Sequence, residues 1–412
     1  MREEIKQRIE TIRRGEMPEG YRRTRAGIMP LDWQENVYAK DIFRNHTNKK
    51  HNGEFEVLSA TQDRGIIPRS EVDIDIKYAE ENIGSYKKVD SGDFVISLRS
   101  FQGGIEYSEY EGLVSPAYTI LKANKPINDN FYRAYFKTPD LISRLNGAVY
   151  GIRDGKQIGF EDFGELAIHY PPVAEQEKIA EILSTCDRVI ELKQQLLEEK
   201  RKQKQWLVQK ILLPKKNWTR TTIGKVATVT AGATPDTKRD EYWNGDIRWM
   251  NSGELNLKQV YEVDGRITSL GLNNSGTKLL PAKCVLIGLA GQGKTRGTVA
   301  INHVELCTNQ SIAAIHPSKH YDSDYLYHYL DSKYLELRKI SSGDGARGGL
   351  NLGLIEGFVV YLPSKSEQAR IATVLSTADT EVELLEKELE SWRRKKKALM
   401  QLLLTGLVRV KA

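Results

Sequence analysis

Gly288-Leu289-Ala290-Gly291-Gln292-Gly293-Lys294-Thr295 has the spacing with which a glycine-rich loop cradles nucleotide phosphates. That chemistry also needs a helix to open directly after the loop, so that its first N–H groups face the anion. Here the chain continues Arg296-Gly297-Thr298-Val299-Ala300-Ile301, β-branched and strand-like, so the match is formal and nucleotide binding is rejected. Methyl transfer to a base amine needs Asn or Asp before Pro-Pro and an aromatic residue. The nearest approach, His169-Tyr170-Pro171-Pro172-Val173, reads as a linker, and no glycine-rich strand-to-helix turn suited to S-adenosylmethionine accompanies it. Asp73, Asp75 and Lys77 alternate as a metal nuclease would require, but such alternation is the ordinary surface face of a strand. The seven histidines form no pair at metal-ligand spacing, and no Ser/His/Asp set stands out.

Polar and basic loop chemistry remains. Gln62, Arg64 and Arg69, then Arg99 and Gln102, then Arg153, Lys156 and Gln157 punctuate glycine-rich turns in the first half of the chain. Lys238, Arg239, Gln292, Lys294, Arg296 and Arg347 do so in the second. Arg and Lys reach guanine O6 and N7, Gln pairs with adenine, and the remainder hold phosphates. Any one of these residues taken alone is an ordinary solvated side chain; the set is the signal.

Two long helices must position these loops. Pro172 precedes a stretch that ends at Pro214, and Pro363 precedes a second that runs to the C-terminus. They are copies: Leu183-Ser184-Thr185-Cys186-Asp187 matches Leu375-Ser376-Thr377-Ala378-Asp379, and Glu175-Gln176 matches Glu367-Gln368, all at one offset (375 − 183 = 192). In the second copy Ile371, Ala378, Leu385, Trp392 and Leu399 recur every seven residues, with Leu375, Val382, Leu389, Lys396 and Leu403 four further on. In the first, Ile179, Cys186, Leu183, Ile190, Leu197, Leu207 and Ile211 fill the same seam, and Lys193, Lys200 and Lys204 interrupt it. Each stretch predicts a helix of roughly 38 residues, about 57 Å long at 1.5 Å per residue. Acids concentrate early and bases late in both, so antiparallel pairing sets acid against base. The halves so joined acquire a pseudo-twofold axis.

Residues 1–20 predict a short N-terminal helix with Ile5, Ile9 and Ile12 on one face, expected to pack on the long pair. Residues 21–172 and 215–362 predict two mixed α/β modules, flanked by the helical segments 173–214 and 363–412. The modules are diverged copies: Phe94-Val95-Ile96 before Gln102-Gly103 corresponds to Cys284-Val285-Leu286 before Gln292-Gly293 (292 − 102 = 190), and Trp33 corresponds to Trp218 (218 − 33 = 185). The fold class is therefore α+β, duplicated. At 412 residues the chain suits two or three domains. No run approaches the ~18 apolar residues of a membrane span, the N-terminus lacks a secretory apolar core, and Cys186, Cys284 and Cys307 are scattered, which together indicate a reducing cytoplasm and no membrane partner. A formal charge of +6 permits nucleic-acid binding without demanding it.

The repeated Pro-Pro-Val-Ala-Glu-Gln-Glu-Lys-Ile-Ala-Glu-Ile-Leu-Ser-Thr-Cys-Asp at 171–187, Ser366-Glu367-Gln368-Ala369-Arg370-Ile371-Ala372-Thr373-Val374-Leu375-Ser376-Thr377-Ala378-Asp379 and the closing segment 395–410 resemble the specificity subunits of type I restriction-modification systems. The second module's opening, with Gly232, Thr234-Pro235, Tyr242-Trp243 and Trp249, is similar too, while the first keeps Trp33 without the Gly-x-Thr-Pro turn. The resemblance covers essentially the whole chain. It implies a subunit without catalysis of its own, with one target-recognition domain per half of a split duplex-DNA target. The helices would set the spacing and dock two methylation subunits. Restriction subunits would complete the complex, and S-adenosylmethionine, ATP and Mg would sit on the partner subunits. Two alternatives stay open: part of a fused restriction-methylation enzyme, against which a start at Met1 with its own helix speaks, and a coiled-coil adaptor, which a shallow salt dependence of DNA binding would favour.

Overall fold

The computed structural model describes residues 3–72, 80–97, 104–149, 158–291, 293–341 and 349–410. The chain divides into two compact units, Met1–Gln194 with Glu388–Ala412, and Gln195–Lys387. Each unit holds one mixed module and part of both long helices.

Each module is built on an antiparallel sheet whose central strands are largely apolar. In the first the order is Phe43–His46, Thr119–Ala123, Phe94–Ile96, Ile105–Tyr107. In the second it is Val229–Ala231, Ile312–Ile315, Val285–Gly288, Val299–Asn302, with Gln259–Val260 added in parallel at the edge. The four shared strands follow one order, so duplication extends from sequence to topology. Short runs such as Phe-Val-Ile and Val-Leu-Ile-Gly are buried throughout, as a sheet covered on both faces requires. In the first unit an aromatic cluster fills the core, with Phe43 edge-on to Tyr132 at 5.2 Å and Phe94 edge-on to Phe136 at 5.2 Å.

The long helices span Val173–Ile211 and Lys365–Leu403, 39 residues each. Ile179, Leu183, Leu197, Ile371, Leu375, Leu389 and Leu403 are buried, and Ile190, Leu207, Ile211, Val382, Leu385, Trp392 and Leu399 are half-buried. Within the first unit Asp187 meets Lys396, and Lys193 meets Glu388 at 2.5 Å. Within the second, Lys200 meets Glu381 at 2.9 Å and Lys204 meets Asp379. One number rises as the other falls, so the helices run antiparallel. The lysines that interrupt the apolar seam are thus each answered by a carboxylate from the facing helix. Ile179, Ala180, Leu183, Leu403 and Leu404 belong to the first module's core, and Ile371, Ala372 and Leu375 to the second's, so helix and module share one apolar interior in each unit. Burying each Leu or Ile there contributes about 1.5–3 kcal/mol.

The N-terminal helix spans Glu3–Arg13 and has no buried residue. Its Arg8 donates to the carbonyl of Leu407 at 2.6 Å and lies over the Tyr21 ring, so it meets the C-terminal tail.

Candidate nucleic-acid interface

In the second module the loop after the first sheet strand is held by its own motif. Gly232 passes directly over the carbonyl of Thr308, where any Cβ would overlap it. The Thr234 hydroxyl donates to Gln310 Oε1 at 2.6 Å. The indoles of Trp249 and Trp243, edge to face at 5.0 Å, donate to the carbonyls of Ala233 (3.1 Å) and Asp236 (3.2 Å). The Asp236 side chain accepts from the Lys238 N–H at 3.0 Å, a turn Asp favours. The result presents an exposed Lys238 beside Arg239, whose guanidinium lies 5.4 Å over the Tyr242 ring and donates to its hydroxyl.

The segment with the phosphate-loop spacing joins two antiparallel strands, Val285–Gly288 and Val299–Asn302, and is a hairpin. It offers no helix N-terminus at the position such a loop uses. Gly297 N–H returns to the Gly288 carbonyl at 2.9 Å, and the Thr298 hydroxyl donates to the Lys294 carbonyl at 2.7 Å. Lys294 is exposed at the tip and Arg296 half-buried behind it.

In the first module Gln62 and Arg64 lie in the turn between Leu58–Thr61 and Gly65–Pro68. Gly65, at φ +77°, runs 2.6 Å from the Tyr107 carbonyl to where its Cβ would stand, so only glycine fits. Arg64 donates to the Glu71 carbonyl at 2.9 Å, and Arg69 is half-buried with its N–H on the Val57 carbonyl. Beneath this turn, Lys137 pairs with Glu106, and burial pushes the Glu106 carboxyl up to about 7 although Lys137 opposes the shift. Tyr107, Arg133, Asp187 and Lys396 line the same cleft of about 760 Å³.

The structure therefore groups the sequence-derived residues in pairs: Gln62 with Arg64, Lys238 with Arg239, Lys294 with Arg296. Arg99, Gln102, Arg153, Lys156, Gln157, Gln292 and Arg347 lie outside the described residues, as do Asp73, Asp75 and Lys77. Among the described residues no three His, Cys, Asp or Glu side chains converge as metal ligands would, and no helix is long and apolar enough to cross a membrane.

The repeated Glu-Gln pair has a structural role that the sequence pattern does not disclose. Gln176, fully buried, accepts from the Asn128 N–H (2.9 Å) and donates to the Pro171 carbonyl (2.9 Å). Gln368 accepts from the Asp322 N–H (2.7 Å) and donates to the Pro363 carbonyl (2.8 Å). Asn128 and Asp322 cap the module helices Asp129–Tyr135 and Ser323–Ser332, so each glutamine ties a module helix to a long one. The preceding glutamates diverge. Glu175 is buried, accepts from the Trp33 indole at 2.8 Å, and pairs with Arg409. Glu367 pairs with exposed Lys215 at 2.7 Å.

The family described as the type I restriction modification DNA specificity domain matches the chain twice, over residues 33–199 and 215–391. The type I restriction enzyme MjaIX specificity subunit of Methanocaldococcus jannaschii is 32% identical over 179 residues, 42% of this chain and 41% of that protein. The MjaVIII specificity subunit of the same organism is 23% identical over 78% of this chain and 80% of its own length. Among solved structures, the type I restriction-modification S subunit from M. genitalium shares the fold at a TM-score of 0.57 and 14% identity, covering 91% of this chain and 96% of that one. Carrying two copies of that domain, this chain belongs to the type I restriction-modification DNA specificity family.

Proposed function

We propose that the chain reads a bipartite duplex-DNA target, one half-site per module, and performs no chemistry itself. What supports this reading is the same four-strand order in both units, each carrying basic and polar turns at loops tied down by glycine, tryptophan or hydroxyl contacts. Rigidly based Arg, Lys and Gln side chains are what base-edge recognition needs. Lys238, Arg239, Lys294 and Arg296 serve the second half-site, and Gln62, Arg64 and Arg69 the first. Arg99, Gln102, Arg153, Lys156, Gln157, Gln292 and Arg347 join them as sequence-derived candidates.

In this reading the antiparallel helices set the gap between half-sites, about one helical turn centre to centre. They also dock two methylation subunits, which use S-adenosylmethionine. Restriction subunits supply ATP- and Mg-dependent steps, and the complex works in the cytoplasm. The test is to map methylated adenines in cells carrying the chain and its methylation partner, then exchange residues 215–362 for another such module. One half-site should change and the other persist. Change in both, or transfer of a labelled methyl group to DNA by the purified single chain, would contradict the reading.

A further inference from the structure

The hairpin tip between Val285–Gly288 and Val299–Asn302 is gripped from outside its own strands. Arg338, on the helix Tyr334–Ile340, donates from one guanidinium nitrogen to the Gly293 carbonyl at 2.6 Å and reaches that of Arg296 at 3.3 Å. Tyr334, one turn earlier, donates its hydroxyl to the Lys294 carbonyl at 3.1 Å and accepts from Arg338 at 3.0 Å. Gly297, at φ +81°, lays the returning strand against the same helix, where an added Cβ would stand 3.2 Å from Arg338 Cγ. The tip's carbonyls at 293, 294 and 296 are thus bound by the helix, while the Lys294 side chain stays exposed.

We infer that Arg338 and Tyr334 are positioning residues that fix the Lys294 hairpin for base discrimination at the second half-site, without themselves touching DNA. The inference rests on the reading of this hairpin as a DNA contact. The physical reason is twofold. A carbonyl facing a phosphate repels it, so turning three carbonyls inward leaves the cationic side chain on the outer face. A loop tip with one backbone arrangement also presents that side chain at a single distance and angle, which discrimination between base edges needs and phosphate attraction does not. Arg144 stands at the matching place in the first module (338 − 144 = 194, the offset that also relates the caps Asn128 and Asp322), yet it donates to the Ala167 carbonyl at 2.5 Å and to Asp140 at 2.9 Å.

The experiment uses the chain assembled with its methylation partner. The probes are duplexes carrying the mapped target, a single-base change in the half-site governed by residues 215–362, or a change in the other half-site. Arg338→Ala should reduce discrimination at the second half-site roughly tenfold, within the range of one good base contact. It should leave the first half-site and the salt slope of binding unchanged, and speed hydrogen exchange at residues 293–298. Lys294→Ala should reduce discrimination at the same half-site at least as far. Tyr334→Phe and Arg338→Lys, each milder, should show the same pattern at smaller amplitude and serve if Arg338→Ala folds poorly. A salt slope that falls with Arg338→Ala would make Arg338 a phosphate contact and overturn the inference, as would unchanged exchange at the tip. Faster exchange with full discrimination, in a chain where Lys294→Ala also changes nothing, would overturn the DNA-contact reading of the hairpin and the inference with it.

Discussion

Replacing Arg409 with alanine should destabilise the first unit far more than replacing Lys215 with alanine destabilises the second, although the two cations answer matching glutamates. Arg409 donates to both oxygens of Glu175, at 2.8 and 2.9 Å, and to both oxygens of Asp32, at 2.8 and 2.7 Å. The Glu175 side chain is only 3% exposed, so without Arg409 its buried charge is left with the neutral Trp33 indole N–H as donor. Breaking a buried pair from one side costs about 3–5 kcal/mol. Arg409 is itself 34% exposed, so water can enter the space it vacates, and the loss should be nearer 2–3 kcal/mol, with little added from exposed Asp32. Lys215 and Glu367 are 57% and 17% exposed, and such a pair contributes at most about 1 kcal/mol. For a unit of this size each kcal/mol moves the midpoint by roughly 2–4 °C, so calorimetry of the full chain should show the first unit's transition lowered by roughly 4–12 °C in Arg409→Ala. Lys215→Ala should move the second unit's transition by no more than about 4 °C. Equal shifts in the two variants would refute the argument from burial.

Three further outcomes are expected. Glu106 has its folded-state value raised to about 7, so it contributes stability that is complete below the unfolded value of 4.5 and lost as pH rises through 7; Glu106→Gln should flatten the decline of the unfolding midpoint between about pH 5 and pH 8 relative to the native chain. Gln176→Leu strands the Asn128 N–H and the Pro171 carbonyl in a buried site and should lower stability by about 2–4 kcal/mol in denaturant titration, as Gln368→Leu should for Asp322 and Pro363. Inserting four residues, about 6 Å of helix, between Leu196 and Lys204 should lengthen the unread spacer by one or two base pairs in methylome maps; altered bases within a half-site at unaltered spacing would contradict the spacer role of the helices.

The long helices were legible because a seven-residue repeat is local and survives in one strand of text. Even the seam lysines could be seen, though not that Lys193, Lys200 and Lys204 each meet a carboxylate on the facing helix. The formal phosphate loop was resolved by the β-branched residues after it, and the hairpin has that form. Sheet order was not legible, since Thr119–Ala123 pairs with strands that come well before it and no local pattern encodes such pairing. The Arg338 grip was hidden for the same reason: it reaches a carbonyl 45 residues earlier, and a backbone acceptor has no side-chain signature. The repeated Glu-Gln pair was visible, but its partners are main-chain groups, and text alone shows no reason why one glutamine should be buried.

That choice of partners has a consequence of its own. Gln176 and Gln368 grip only a peptide N–H and a proline carbonyl, groups that vary little whatever side chains surround them. Each is a socket blind to its passenger: it checks that a helix begins at the right place and nothing else about the cargo. At this joint the side chains of either half can therefore change without loss of the grip, provided the helix still begins in the same place. The seat would still fit, and selection on what is read could proceed without renegotiating how the reader is mounted.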